Sequence, residues 1–143
     1  MRQVHGWRGL DAKDRGAALA LGNFDGVHLG HRAVIAEAAA AAARLGAPLG
    51  VATFEPQPRR WFQPDSAPFR LTTLEQQARA LAGLGVDRLH VLPFDAELAE
   101  MSDETFARAV LHEGLGVRHV AAGFDITFFF NDTATTESLR RFG

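Results

Sequence analysis

His28 and His31 stand three residues apart in the string Gly22-Asn23-Phe24-Asp25-Gly26-Val27-His28-Leu29-Gly30-His31, and that spacing carries chemistry. On the first turn of a helix, residues i and i+3 share a face, so both imidazoles reach one phosphate chain. A neutral imidazole donates one N–H and an imidazolium two, so either form stabilises charge building on a phosphoryl oxygen. Backbone N–H groups at a helix N-terminus are unpaired and the helix dipole is positive there, which adds a seat for a phosphate. Gly22, Gly26 and Gly30 let the chain turn tightly and approach such a ligand. Transfer between phosphates needs no nucleophilic side chain, because the acceptor is already an anion and the protein positions and neutralises. Asp25 reads either as a contributor to a magnesium site or as a turn residue before Gly26. A His-x-x-His pair alone is often a surface helix pair, and a zinc site needs more ligands than two. The remaining histidines, His5, His90, His112 and His119, are scattered and read as structural or exposed.

The phosphate reading rests on the elements around the pair. Residues 17–21 (Ala-Ala-Leu-Ala-Leu) form a short apolar run of buried-strand type, and Val34, Ile35, Ala38, Ala42 and Leu45 recur afterwards at helical spacing. That helix is predicted from about Leu29 to Leu45, stopped by Gly46 with Pro48 beyond it. Residues 49–54 read as a second buried strand, ended by Glu55-Pro56-Gln57-Pro58. A loop follows over residues 59–71. Two overlapping capping boxes, Thr72 with Glu75 and Thr73 with Gln76, then open a helix that runs through Leu84 and stops at Gly85. Residues 88–92 make a third strand before Pro93, and Ser102 caps a helix whose buried face is Phe106, Val110 and Leu111. Residues 117–121 make a fourth strand, followed by Gly123-Phe124-Asp125.

Four strands alternating with helices imply a parallel, doubly wound α/β sheet with right-handed crossovers. Ligands of such sheets bind outside the carboxyl ends of the strands. Three of those ends carry unusual residues: the glycine-histidine turn, Glu55-Pro56-Gln57-Pro58 and Gly123-Phe124-Asp125, and they are expected to converge on one cleft.

Composition narrows the function classes. A chain of 143 residues suits one domain with one real core. Its net charge is −2 and no basic stripe is present, so nothing points to nucleic acid. The chain has no cysteine, which excludes disulfides, thiolate metal sites and a cysteine nucleophile. The first residues lack the apolar core of a signal peptide and no apolar run reaches the ~18 residues of a membrane span, so a soluble cytoplasmic protein is expected.

The His28-Leu29-Gly30-His31 string resembles the His-x-Gly-His signature of the nucleotidyltransferase superfamily. The longer string 22–31, with Thr53-Phe54-Glu55-Pro56-Gln57-Pro58, Leu71-Thr72-Thr73-Leu74-Glu75, Gly85-Val86-Asp87-Arg88 and Val91-Leu92-Pro93-Phe94-Asp95, resembles the N-terminal FMN adenylyltransferase module of bacterial bifunctional riboflavin kinase/FAD synthetases. The likeness runs over roughly residues 16–127. It implies a Rossmann-like sheet of the nucleotidyltransferase type over the single domain 1–143. It also implies transfer of AMP from ATP to FMN, giving FAD and pyrophosphate, with Mg2+. It places Gly22, Phe24, Asp25, Gly26, His28, Gly30 and His31 at ATP, with His28 and His31 as the catalytic pair. Phe54, Pro56, Pro58, Phe62 and Asp125 fall on the flavin side. Taken from the residues alone, Phe54 and Phe62 read as well as core packing, and Pro56 and Pro58 as a stiff loop.

The chain departs from that pattern in three places. Gln57 stands where the family has histidine. Residues 126–137, Ile-Thr-Phe-Phe-Phe-Asn-Asp-Thr-Ala-Thr-Thr-Glu, replace a loop rich in glycine and arginine with one that contains neither. Residues 128–137 read as a product of sequence assembly, and resequencing the gene checks it: an intact stretch removes that reading. The family also continues through another strand, a Ser-Ser-Thr-x-x-Arg-type motif and a riboflavin kinase barrel, so the sheet is expected to be incomplete at its C-terminus and the kinase domain absent. The competing expectations are another superfamily member, acting on pantetheine phosphate, nicotinamide mononucleotide or glycerol phosphate, and an inactive nucleotide-binding fragment.

Overall fold

The computed structural model describes residues 1–22, 29–55 and 74–122. Five parallel strands form one sheet: β1 (Arg2–His5), β2 (Ala18–Leu21), β3 (Leu49–Glu55), β4 (Arg88–Pro93) and β5 (His119–Ala122), in the order β1-β4-β3-β2-β5. The sequence predicts four of these strands and misses β1. Only Val4 of its four residues is buried, so the apolar signal of a strand is almost absent there. β1 exists because its backbone pairs with β4, Arg2 with Arg88 through His5 with Val91, a partner that only the tertiary fold supplies.

Helices cover both faces, as a doubly wound sheet requires. α1 (Leu29–Leu45) and α2 (Leu74–Gly83) cover one face, where Ile35, Ala38, Ala42, Ala78 and Leu81 meet Ala18, Ala20, Val51, Leu89 and Val91. The short α3 (Ala96–Ala99) and the π-helix Phe106–Gly114 cover the other, where Leu98, Phe106, Val110 and Leu111 meet Leu19, Leu21, Phe54 and Leu92. Alternate residues of β2 divide between the two cores: the alanines face the alanine-rich α1, which lets that helix lie close, and the leucines face the aromatic side. α1 has the predicted bounds. Gly46 takes φ 65°, and the Ala47 N–H closes back on the Ala42 carbonyl at 2.9 Å, a left-handed stop that only glycine adopts without strain.

α2 opens at Leu74, and the expected caps Thr72 and Thr73 lie outside the described residues. Two further differences have local causes. β5 begins at His119, two residues later than predicted, because the Val117 N–H is still bonded to the Leu111 carbonyl at the end of the preceding helix. That helix starts as α4 (Asp103–Thr105), with Ser102 Oγ accepting from the Thr105 N–H at 3.1 Å as the cap predicts, and then widens into a π-helix over Phe106–Gly114. The i+5 bond from the Leu115 N–H to the Val110 carbonyl, 2.8 Å, shows the wider turn.

His90 on β4 gives the fold a pH dependence. It is 1% exposed and neither ring nitrogen has a hydrogen-bond partner. Burial, reinforced by the Arg88 charge and opposed by Asp14, pulls its pKa down to about 4. Above the ordinary histidine value of about 6.5 the ring is neutral in both folded and unfolded chains and contributes nothing. As pH falls from there toward 4, the unfolded chain binds a proton that the folded chain refuses, and stability drops by up to about 3 kcal/mol. His90→Leu is expected to flatten the difference between pH 6.5 and 4 in urea melts followed across pH. An identical pH slope in the two proteins contradicts this origin.

Candidate active site

The strand order reverses between β2 and β5. From β2 the chain steps through β3 to β4 in one direction, then crosses the opposite face to place β5 on the other side of β2. Such a switch point opens a crevice at the strand carboxyl ends. Leu21 and Ala122 are paired in register at that end, and Leu21 is paired with Ala52 on its other side. Gly22 follows at once, buried, with its N–H directed to the Ala52 carbonyl at 3.4 Å. α1 then begins at Leu29, so the backbone of Gly30 and His31 forms its first turn at the mouth of this crevice, and the helix packs against β2 and β5.

The charge pattern of the helices singles out α1. α2, α3 and α4 each carry acidic residues in the first turn, which neutralise their own dipoles: Glu75, Glu97, and Asp103 with Glu104. α1, with 17 residues the longest helix described, carries none. A helix N-terminus of that kind suits an anion, a phosphate above all.

On the β3–β4 side the carboxyl ends are tied together, the Phe94 N–H donating to the Glu55 carbonyl at 3.1 Å. Below them Phe54 is fully buried, edge-on to Phe94 with ring centroids 5.6 Å apart and tilted against Phe106 at 6.3 Å. The ring is enclosed in this aromatic floor, as its core-packing reading expects. Phe94 and Asp95 belong to the same support. Asp95 Oδ1 accepts from the Leu98 N–H at 3.0 Å and caps α3, a role its position ahead of Ala-Glu-Leu would have signalled. Phe24, Asp25, Gly26, His28, Pro56, Pro58, Phe62 and Asp125 lie outside the described residues. Among the described residues no three His, Cys, Asp or Glu gather closely enough to hold a metal ion, and no helix is long and apolar enough to cross a membrane.

A doubly wound parallel sheet with a glycine at the β2 end and a long helix starting at the switch point defines the class: a Rossmann-like α/β protein. Comparison with known proteins is more specific. The sequence profile of the FAD synthetase family matches residues 10–143, and the chain belongs to that family. It is 44% identical over 128 residues to a bifunctional riboflavin kinase/FMN adenylyltransferase of Pseudomonas fluorescens and 38% identical over 129 residues to that of Escherichia coli K12. Each alignment covers 90% of this chain and 41% of the relative, so the chain spans about two-fifths of their length. Among solved structures, a macrolide-efflux protein from Streptococcus pneumoniae superposes with a TM-score of 0.78 at 24% identity, covering all of this chain and 47% of that one. That likeness concerns the fold.

Proposed function

We propose that the chain, as a single adenylyltransferase domain, transfers AMP from ATP to FMN. A phosphate oxygen of FMN attacks the α-phosphorus of ATP, the bond from that phosphorus to the bridging oxygen breaks, and pyrophosphate leaves; the products are FAD and pyrophosphate. The observation that carries this reading is α1, a long helix with no acid in its first turn, starting at the switch point with the His31 backbone in that turn. Family membership supplies the reactants. His28 and His31 donate hydrogen bonds to the phosphate oxygens on which charge builds. Gly22, Phe24, Asp25, Gly26 and Gly30 shape the ATP seat, and Pro56, Pro58, Phe62 and Asp125 border the flavin, with Phe54 supporting them from below. Mg2+ arrives with the ATP phosphates, with Asp25 as the protein ligand proposed for it. The reaction is placed in the cytoplasm, where ATP and FMN are at hand.

FAD formation from FMN and Mg-ATP by the purified chain, with pyrophosphate released in equal amount, tests the reading. Because the chain spans about two-fifths of its relatives, the second reading is a nucleotide-binding chain without turnover. Binding of ATP and FMN with no FAD formed selects it.

A further inference from the structure

AMP transfer brings the triphosphate chain of ATP and the phosphate of FMN into one crevice, and charge builds on the pyrophosphate as it leaves. Such a site needs a cation as well as neutral donors. The fold shows which cations are out of reach. The strands are parallel, and Arg2 and Arg88 open β1 and β4 while Arg15 and Arg118 stand just before β2 and β5, all at the amino end of the sheet, opposite the crevice. Lys13 adjoins Asp14, which pairs with Arg2 at that end, and Arg44 lies in the last turn of α1. Arg8 is held in an ion pair with Glu97, and Arg79 lines a cleft with Gln3 on the edge strand β1. Arg108 stands on the π-helix, over the face of the sheet opposite to α1.

Arg32 is the described cation that remains. It follows Gly30 and His31 in the first turn of α1, the turn that begins at the switch point. Its side chain is exposed, with neither an ion pair nor a hydrogen bond among the described residues. Reach favours the same place: helical side chains tilt toward the N-terminus, and one turn rises about 5.4 Å, a distance the long arginine side chain covers. Nothing within the helix answers this charge. A cation in the first turn opposes the helix dipole, and the residues at i+3 and i+4 are Ile35 and Ala36.

We infer that Arg32 binds the β- and γ-phosphates of ATP, the part that leaves as pyrophosphate. The inference rests on the adenylyltransferase reading. When the bond from the α-phosphorus to the bridging oxygen breaks, its electron pair stays on that oxygen, and a guanidinium fork on the pyrophosphate answers the added charge. The phosphate of FMN is the poorer partner, because a fixed cation on the attacking oxygen holds back the electron pair it must donate.

Binding of Mg-ATP, AMP and FMN to the 143-residue chain, compared for wild type, Arg32→Gln and Arg32→Lys, tests this. Wild type is expected to bind ATP more tightly than AMP. Arg32→Gln is expected to lose about tenfold or more in ATP affinity, the scale of a hydrogen-bonded contact to a charged group, and to hold AMP and FMN as wild type does. Arg32→Lys keeps the charge without the fork and is expected to fall between the two. Glutamine removes a cation that opposes the dipole and breaks no ion pair, so the ligand-free melting temperature is expected to hold or rise. An Arg32→Gln protein that binds ATP as wild type does overturns the inference. So does one that weakens AMP as much as ATP, which marks a contact to the AMP part, or one that weakens FMN alone, which puts the arginine at the flavin phosphate. Wild type that binds neither ATP nor FMN overturns the adenylyltransferase reading itself, a result distinct from the others.

Discussion

His31→Ala is expected to lower the turnover of FAD formation by about 10²–10³-fold, the usual cost of deleting one preorganised donor to a reacting oxyanion. The size follows from position. His31 belongs to the first turn of α1, which holds no acidic residue, and a donor there adds to the positive end of the helix dipole. Alanine is the best helix former, so α1 keeps its start and a lost rate cannot be charged to a lost helix. Steady-state kinetics separate the roles: a fall in kcat with little change in KM for ATP marks a contact made in the transition state, whereas a rise in KM alone marks ground-state binding. His28→Ala is expected to fall in the same range. Turnover unchanged in both variants removes the pair from the mechanism.

Phe54→Ala is expected to destabilise the protein by about 3–5 kcal/mol, the cost of emptying a buried aromatic site. The ring is fully buried and its loss unsupports two others, Phe94 edge-on and Phe106 tilted, so the cavity opens where β3 and β4 meet the π-helix. At a few degrees per kcal/mol for a domain of this size, the melting temperature is expected to drop by roughly 10 °C or more. Phe54→Leu, which refills most of the volume, is expected to recover most of that and to bind FMN as wild type does. A Phe54→Leu protein that melts normally yet loses FMN affinity returns the ring to the flavin site.

Much of the scaffold was legible because its signals are local. The Leu29–Leu45 bounds of α1 follow from Gly46 and Pro48, the Ser102 cap from the serine and the acids behind it, and three of the strands from apolar runs long enough to fill a buried position. The glycine-histidine turn was legible for the same reason: glycine freedom and i, i+3 geometry are properties of neighbours in sequence. The reading of Phe54 was open, because an apolar residue at a strand end looks the same whether it faces a ligand or a core.

The sequence by itself determined the type of each main element, the parallel α/β class and the chemistry its histidines can perform, since these depend on residues within a helical turn or a strand of one another. Only the tertiary structure decided that Arg2–His5 is a strand, paired with residues far along the chain. It also decided that Phe54 is fully buried and that Gln77 is buried with its amide unanswered. The crevice itself is of that second kind: Gly22 and the end of β5 lie a hundred residues apart, and they meet because crossovers over opposite faces of the sheet seat β5 beside β2.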